Sequence, residues 1–171
     1  QCGTGWSIRK TGVGPDPVLR AVNRTSSTDA IINPNGVGFN NVGFEGIEFR
    51  GGTGFFCSAG AQSVTFRGCT FRDMKQGITL SGTANDGCVV EDCLFDNSTS
   101  TAFAFTGHNL TVRRCVFRRV GNHCMYLDTV DCGLIERNTF TQWAFGRLAI
   151  RLNGTEALRP TGAILTQNVV I

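Results

Sequence analysis

Charge is scarce in this sequence: only 17% of its 171 residues are Asp, Glu, Lys or Arg. The net charge of +3 is spread along the chain with no Lys/Arg run, which argues against nucleic acid or a membrane surface as partner. No stretch approaches the roughly 20 apolar residues of a membrane span, so no insertion into a bilayer is expected. His occurs twice, at His108 and His123, and neither adjoins a Cys cluster with zinc-like spacing. No metal site and no cofactor are therefore expected. Pro occurs four times and Tyr once, and no segment shows the length and period of a helix. The chain lacks an initiator Met and a signal peptide, and reads as a processed or excised segment.

What is abundant is Gly (22), Phe (13) and Cys (8), and the Phe residues fall in a pattern. A nine-residue motif recurs at Asn41–Phe49, Ser63–Phe71, Gly87–Phe95, Asn109–Phe117, Asp131–Phe140 (one residue longer at its start) and Gly162–Val170. The closing Phe residues lie 22, 24, 22 and 23 positions apart, and a longer step of 30 separates Asn138 from Asn168. A period of this size marks a repeat architecture in which each unit buries its apolar face against its neighbours.

Within a copy the apolar residues alternate, as in Val64 and Phe66, then shift by one to Cys69 and Phe71. Period two means strand, and the shift implies a tight bend between two short strands. A second short run follows in each unit: Gly54–Cys57, Gly77–Leu80, Ala102–Phe105, Cys124–Leu127 and Ala149–Leu152. Three strands per return to the same point define a parallel β-solenoid. Stacking the copies gives columns. Phe49, Phe71, Phe95, Phe117 and Phe140 form an inward ladder, with successive coils about 4.8 Å apart. Glu45, Arg67, Glu91, Arg113 and Glu136 form an outward column of alternating sign that penalises a slipped register. The bend column reads Ile47, Cys69, Cys93, Cys115, Asn138, Asn168.

The pattern Asn-Val-Thr-Ile-x-x-Asn-x-Phe followed by Gly-Ile-x-Leu-x-Gly, to which these copies conform, resembles right-handed parallel β-helices similar to the pectate lyase superfamily. The resemblance covers roughly residues 30–171. It implies an all-β, single-stranded right-handed parallel β-helix of about six coils of 22–24 residues, with three short parallel sheets. Residues 1–29 are assigned to an N-terminal lead-in that caps the first coil, and residues 30–171 to the solenoid. Because Ile171 falls within a strand, the solenoid is expected to continue or to be covered by another chain. In such proteins the bend column usually carries an Asn ladder, and Cys in the middle three coils replaces part of it with small apolar packing. The Cys residues read as buried thiols. The rival is a secreted disulfide framework, for which Cys124 with Cys132 is the loop pair to test. Asn23, Asn97, Asn109 and Asn153 begin Asn-x-Ser/Thr triplets.

The resemblance also implies where chemistry would lie: on the outer face of the first sheet and its flanking loops, where a groove fits a polysaccharide. The densest polar cluster there is His123, Tyr126, Asp128 and Arg151, the candidate catalytic set. Lys75, Trp143 and Arg147 are candidate substrate contacts. A lyase would use Tyr126 or His123 as base with Arg151 holding a uronate carboxylate. A hydrolase would use two carboxylates about 5–9.5 Å apart, for which Asp128 and Asp131 are the available pair. The motifs of polygalacturonase-like members and the acidic calcium cluster of pectate lyases are absent, and Thr79 and Ala104 stand in the likely place of the latter. Two functions remain open. One is an extracellular or virion-surface β-helix that binds, and as a lyase or glycoside hydrolase cleaves, an acidic polysaccharide or glycan. The other is a non-catalytic structural or adhesive solenoid that self-associates in a fibre or filament.

Overall fold

The structure, a computed structural model, describes residues 6–11, 14–15, 17–20, 30–32, 39–82, 84–153 and 164–171. The described residues form no helix and wind into a parallel solenoid with three main sheets. Sheet A stacks Trp6–Arg9, Val42–Glu45, Thr65–Arg67, Val89–Glu91, Thr111–Arg113, Leu134–Glu136 and Ile164–Thr166. Sheet B stacks Val18–Arg20, Glu48–Arg50, Thr70–Arg72, Leu94–Ser98, Val116–Val120, Thr139–Trp143 and Val169–Val170. Sheet C stacks Ala30–Ile32, Thr53–Cys57, Gln76–Leu80, Phe103–His108, Met125–Asp131 and Ile150–Asn153. Sheets A and B thus hold one strand more than the six copies of the motif. The extra pair, Trp6–Arg9 and Val18–Arg20, lies in the segment read as a cap, where no Phe advertises it; it pairs in register with Val42–Glu45 and Glu48–Arg50. By register the fifth motif opens at Cys132, because Asn109 N–H donates to Asp131 O as Ser63 N–H donates to Asp86 O.

The bend between sheets A and B has a backbone cause. Gly46, Gly68, Asp92, Arg114, Arg137 and Gln167 all sit at φ between 52° and 63°. One left-handed residue per coil turns the chain and flips the side-chain parity, producing the one-residue shift in the motif. Two of the six are Gly, which adopts this region freely.

The interior is the Phe ladder. Ring centroids of Phe49–Phe71, Phe71–Phe95, Phe95–Phe117 and Phe117–Phe140 lie 4.8, 4.8, 4.6 and 5.1 Å apart, with planes within 14° of parallel. Phe44 and Phe66 add a second stacked pair. At the bend, Asn138 and Asn168 form the amide ladder: Asn138 Nδ2 donates to Val112 O and Asn168 Nδ2 to Ile135 O. The thiols of Cys69, Cys93 and Cys115 point at the equivalent carbonyls one coil down, Phe44, Phe66 and Val90, at 3.5–3.6 Å. Cys93 and Cys115 lie closer still to carbonyls of their own coil, Glu91 O at 3.1 Å and Arg113 O at 3.3 Å, so the single thiol proton is not committed to the coil below and the column is chiefly apolar packing.

The seven described cysteines are all free, six buried and Cys132 exposed. Burial pushes the Cys88 and Cys124 thiols up to about 12, so they stay protonated. The pairing of Cys124 with Cys132 is excluded, because the two sit at opposite ends of the Met125–Asp131 strand, eight residues and so about 26 Å apart. Cys2 and Asn23 lie outside the described residues.

The alternating column extends to Arg9–Glu45–Arg67–Glu91–Arg113–Glu136. Its centre, Glu91, lies 3.0 Å from Arg113 and 3.9 Å from Arg67. On sheet B, Asp96 is 1% exposed and receives Arg118 at 2.9 Å and Arg119 at 2.8 Å, with Arg72 at 3.7 Å. Burial opposes ionisation of Asp96, but the hydrogen bonds from Arg118 and Arg119 outweigh it and hold the carboxyl below its usual range. A depressed carboxyl contributes stability that is present above the unfolded-state value of about 3.9 and is lost as pH falls through the lower folded value. We expect denaturant midpoints to drop steeply on acidification below about pH 4, and this slope to flatten in Asp96→Asn. An equally steep acid limb in that variant would remove Asp96 as its source.

Candidate functional site

The outer face of sheet C carries Phe56, Thr79, Ala104, Tyr126 and Arg151 in one register column. At its upper end the structure gathers three of the four expected catalytic residues. The Arg151 guanidinium lies over the Tyr126 ring, 5.2 Å from its centroid. His123, in the turn before Met125, lies with its ring centroid 6.3 Å from that of Tyr126 and its Nε2 3.3 Å from Arg151 Nη1. Its Nδ1 accepts the Leu148 backbone N–H at 2.9 Å. Burial, aided by Arg151 and Arg147, holds the His123 imidazole below its usual pKa, so the ring is neutral near pH 7.

The turn that reaches His123 runs from Ala144 to Leu148. It closes with Arg147 N–H donating to Ala144 O, and Trp143 Nε1 braces it by donating to Arg147 O at 2.9 Å. Trp143 packs against the core, so it steadies the turn from beneath. Phe145 stands fully exposed at the tip. Arg147 reaches no carboxylate among the described residues, and neither does Arg151. In contrast, Arg50, Arg67, Arg72, Arg113, Arg114, Arg118 and Arg119 on sheets A and B each reach one.

Asp128 lies two residues beyond Tyr126 on the same face, where Asn153 Nδ2 donates to its Oδ1 at 3.2 Å. Lys75 sits in the turn between sheets B and C, on the coil of Gln76–Leu80. That coil is three strands from Ile150–Asn153, about 14 Å away, so Lys75 does not join the Arg151 cluster.

Asp131 belongs to a second cluster, which the motif pattern did not reveal. Asp86, His108 and Asp131 stack in register at the far end of sheet C. With Gln62, Asn85, Asn109 and Cys132 they line a cleft of about 400 Å³. Asn109 Nδ2 donates to Asp86 Oδ1 at 2.7 Å, and His108 Nδ1 lies 3.6 Å from Asp131 Oδ2. A bulge separates Asp131 from Asp128: the register with Phe103–His108 shifts after Thr106, and Thr129 occupies φ 51°. A β-branched residue in the left-handed region is strained. Its effect is to turn Val130 inward and Asp131 outward. The column before each motif copy, Gln62, Asp86, His108 and Asp131, was the available signal. Among the described residues no group of three or more His, Cys, Asp or Glu side chains is placed to hold a metal ion, and no helix is long and apolar enough to cross a membrane.

Comparison with known proteins bears on the fold. No curated protein and no solved structure matches the chain. One family does, described as the right handed beta helix region, and its match spans residues 21–157. With most of the chain covered and a continuous parallel solenoid underneath, the protein belongs to the right-handed β-helix family, the fold shared in general outline with pectate lyase-like proteins.

Proposed function

We propose that this β-helix binds an acidic polysaccharide across the outer face of sheet C, at His123, Tyr126, Arg147 and Arg151. The observation that supports it is that seven arginines in the middle coils of sheets A and B are neutralised within the fold, whereas Arg147 and Arg151 both face the His123 imidazole without a carboxylate among the described residues. Two cations beside a neutral, buried imidazole are an unfavourable arrangement that an external anion relieves. Tyr126 adds a ring against which a sugar can lie. The role is retention rather than cleavage: His123 Nδ1 is taken by Leu148 N–H, Asp128 Oδ1 accepts from Asn153, and the carboxylate pair a hydrolase would need is split, with Asp131 beside His108. It places the chain outside the cell or on a virion surface, where such polymers occur, in an adhesive role.

Arg151→Ala is expected to weaken binding to an immobilised polyuronate at least about tenfold while leaving the denaturation midpoint nearly unchanged, since a partly exposed cation–π pair contributes only about 1 kcal/mol to folding. Unaltered retention of that variant on the polymer would sink the proposal.

A further inference from the structure

A neutral imidazole offers one acceptor nitrogen. Two N–H groups approach the one in His123: Leu148 N–H at Nδ1, 2.9 Å away, and Arg151 Nη1–H at Nε2, 3.3 Å away. Arg is a donor in every state. Only one contact is therefore a hydrogen bond, and the shorter backbone one takes Nδ1 as its acceptor. The ring proton is then on Nε2, and Nε2–H faces Arg151 Nη1–H with nothing between them to accept either. His123 as a whole is only 5% exposed, so bulk water does not freely solvate it. Protonating His123 makes matters worse. It puts a proton on Nδ1 against Leu148 N–H and adds a third cation to Arg147 and Arg151. Among the described residues the groups facing His123 are Tyr126 and Arg151 from sheet C, and Arg147 with the Leu148 amide from the turn; none of these is an anion.

What both donors lack is an oxygen. We infer that His123 Nε2–H and Arg151 together hold one oxyanion of the ligand, a carboxylate or a sulfate, and that Leu148 N–H sets the His123 tautomer that makes this possible. The inference rests on the acidic-glycan reading and deepens it by naming the protein and ligand groups that meet. An oxygen at this point converts a donor–donor repulsion into two hydrogen bonds, one of them charge-assisted. His123 thus acts as a neutral donor, in contrast to the base role that the sequence suggested for it. The Ala144–Leu148 turn becomes part of the site, because its amide decides which nitrogen carries the proton.

The test compares His123→Asn with His123→Gln in the full chain. The shorter amide of Asn can offer its oxygen near Nδ1, keeping the Leu148 bond, and leaves no donor at Nε2. Gln can offer its amide nitrogen near Nε2 and gives up the Leu148 bond. The probes are a hexuronic-acid oligosaccharide, its methyl ester and a sulfated oligosaccharide, measured by calorimetry. Backbone amide exchange at Leu148 supplies a second readout. His123→Asn is expected to keep Leu148 protected yet to weaken the charged probes about tenfold, as loss of a hydrogen bond to a charged group does. His123→Gln is expected to stay within about threefold of the unaltered chain for the charged probes and to lose Leu148 protection. The charged probe with the larger loss identifies the oxyanion. Equal weakening in both variants, or undiminished binding by His123→Asn, overturns the inference. If the methyl ester binds the unaltered chain as tightly as the acid, the oxyanion site fails while glycan binding stands. If no probe binds, both fall.

Discussion

Phe95→Ala is expected to lower the unfolding free energy by about 3–5 kcal/mol. Phe95 is wholly buried at the middle of the ladder, stacked on Phe71 at 4.8 Å and Phe117 at 4.6 Å, with Phe103 edge-on at 6.4 Å. In a solenoid, stability is roughly a sum of coil terms and nearest-neighbour terms. Removing this ring damages the interfaces on both sides at once. The cavity cannot readily collapse, because neighbouring coils are held apart at the hydrogen-bond spacing of three sheets. Gly77 shows how closely the site is fitted: a Cβ added there would come within 2.8 Å of the Phe95 ring. Phe95→Leu, which keeps most of the volume, should lose only on the order of 1 kcal/mol. Phe140→Ala should lose less than Phe95→Ala, since a Phe stacks on only one side of it, at 5.1 Å, and Val170 occupies the other register position. Urea denaturation with unchanged slope would measure all three. A loss below about 1 kcal/mol for Phe95→Ala would mean the ladder is not what holds the coils together.

The parts of this fold that were legible in the sequence are those that repeat. Phe49 to Phe140 and Glu45 to Glu136 recur because each coil faces the same neighbours, so one environment is written five times over. The site is legible only where it borrows the repeat. Tyr126 and Arg151 were found because they hold the same column in adjacent strands. What escaped is what happens once. Thr129 adds one residue to one strand, and that insertion sends Asp131 away from Asp128 to His108; a two-residue period carries no sign of it. The bond from Leu148 to His123 joins two turns of unlike sequence, and it decides the proton position on the ring. The strand Val18–Arg20 carries no sign of the repeat, because Leu19 stands where later coils have Phe. Repetition announces packing, whereas the departures from it hold the chemistry.

Asn85→Ala is the second large expected loss, on the order of 4 kcal/mol, from a residue outside every repeated column. Asn85 is wholly buried, and its amide ties three coils together. Its Oδ1 accepts Ala61 N–H at 2.7 Å from the coil below, and its Nδ2 donates to Thr106 O at 2.7 Å in the coil above and to Gly82 O at 2.6 Å in its own. Truncation leaves one buried donor and two buried acceptors without their partner, each costing about 1–3 kcal/mol. The backbone around it is equally committed. His108 N–H donates to Asn85 O, and Gly107, at φ 139°, passes so close that a Cβ there would overlap that oxygen. Losing the Asn85 amide should therefore loosen the turns that carry Asp86 and His108 as well as lower stability. Asn85→Asp separates charge from shape. At neutral pH it buries a carboxylate against two carbonyl oxygens and should be at least as damaging as Ala. Burial without a cation raises the folded-state pKa of such a group, so its stability is greatest below the unfolded value and falls as pH rises. Asn85→Asp should accordingly gain ground on Asn85→Ala as the solution is made acidic. That trend is opposite in sign to the one expected from Asp96, whose carboxylate is held ionised by arginines. Parallel pH profiles for the two Asn85 variants would show that the carboxyl is reached by water, and that the amide is not the buried tie between coils that its three bonds describe.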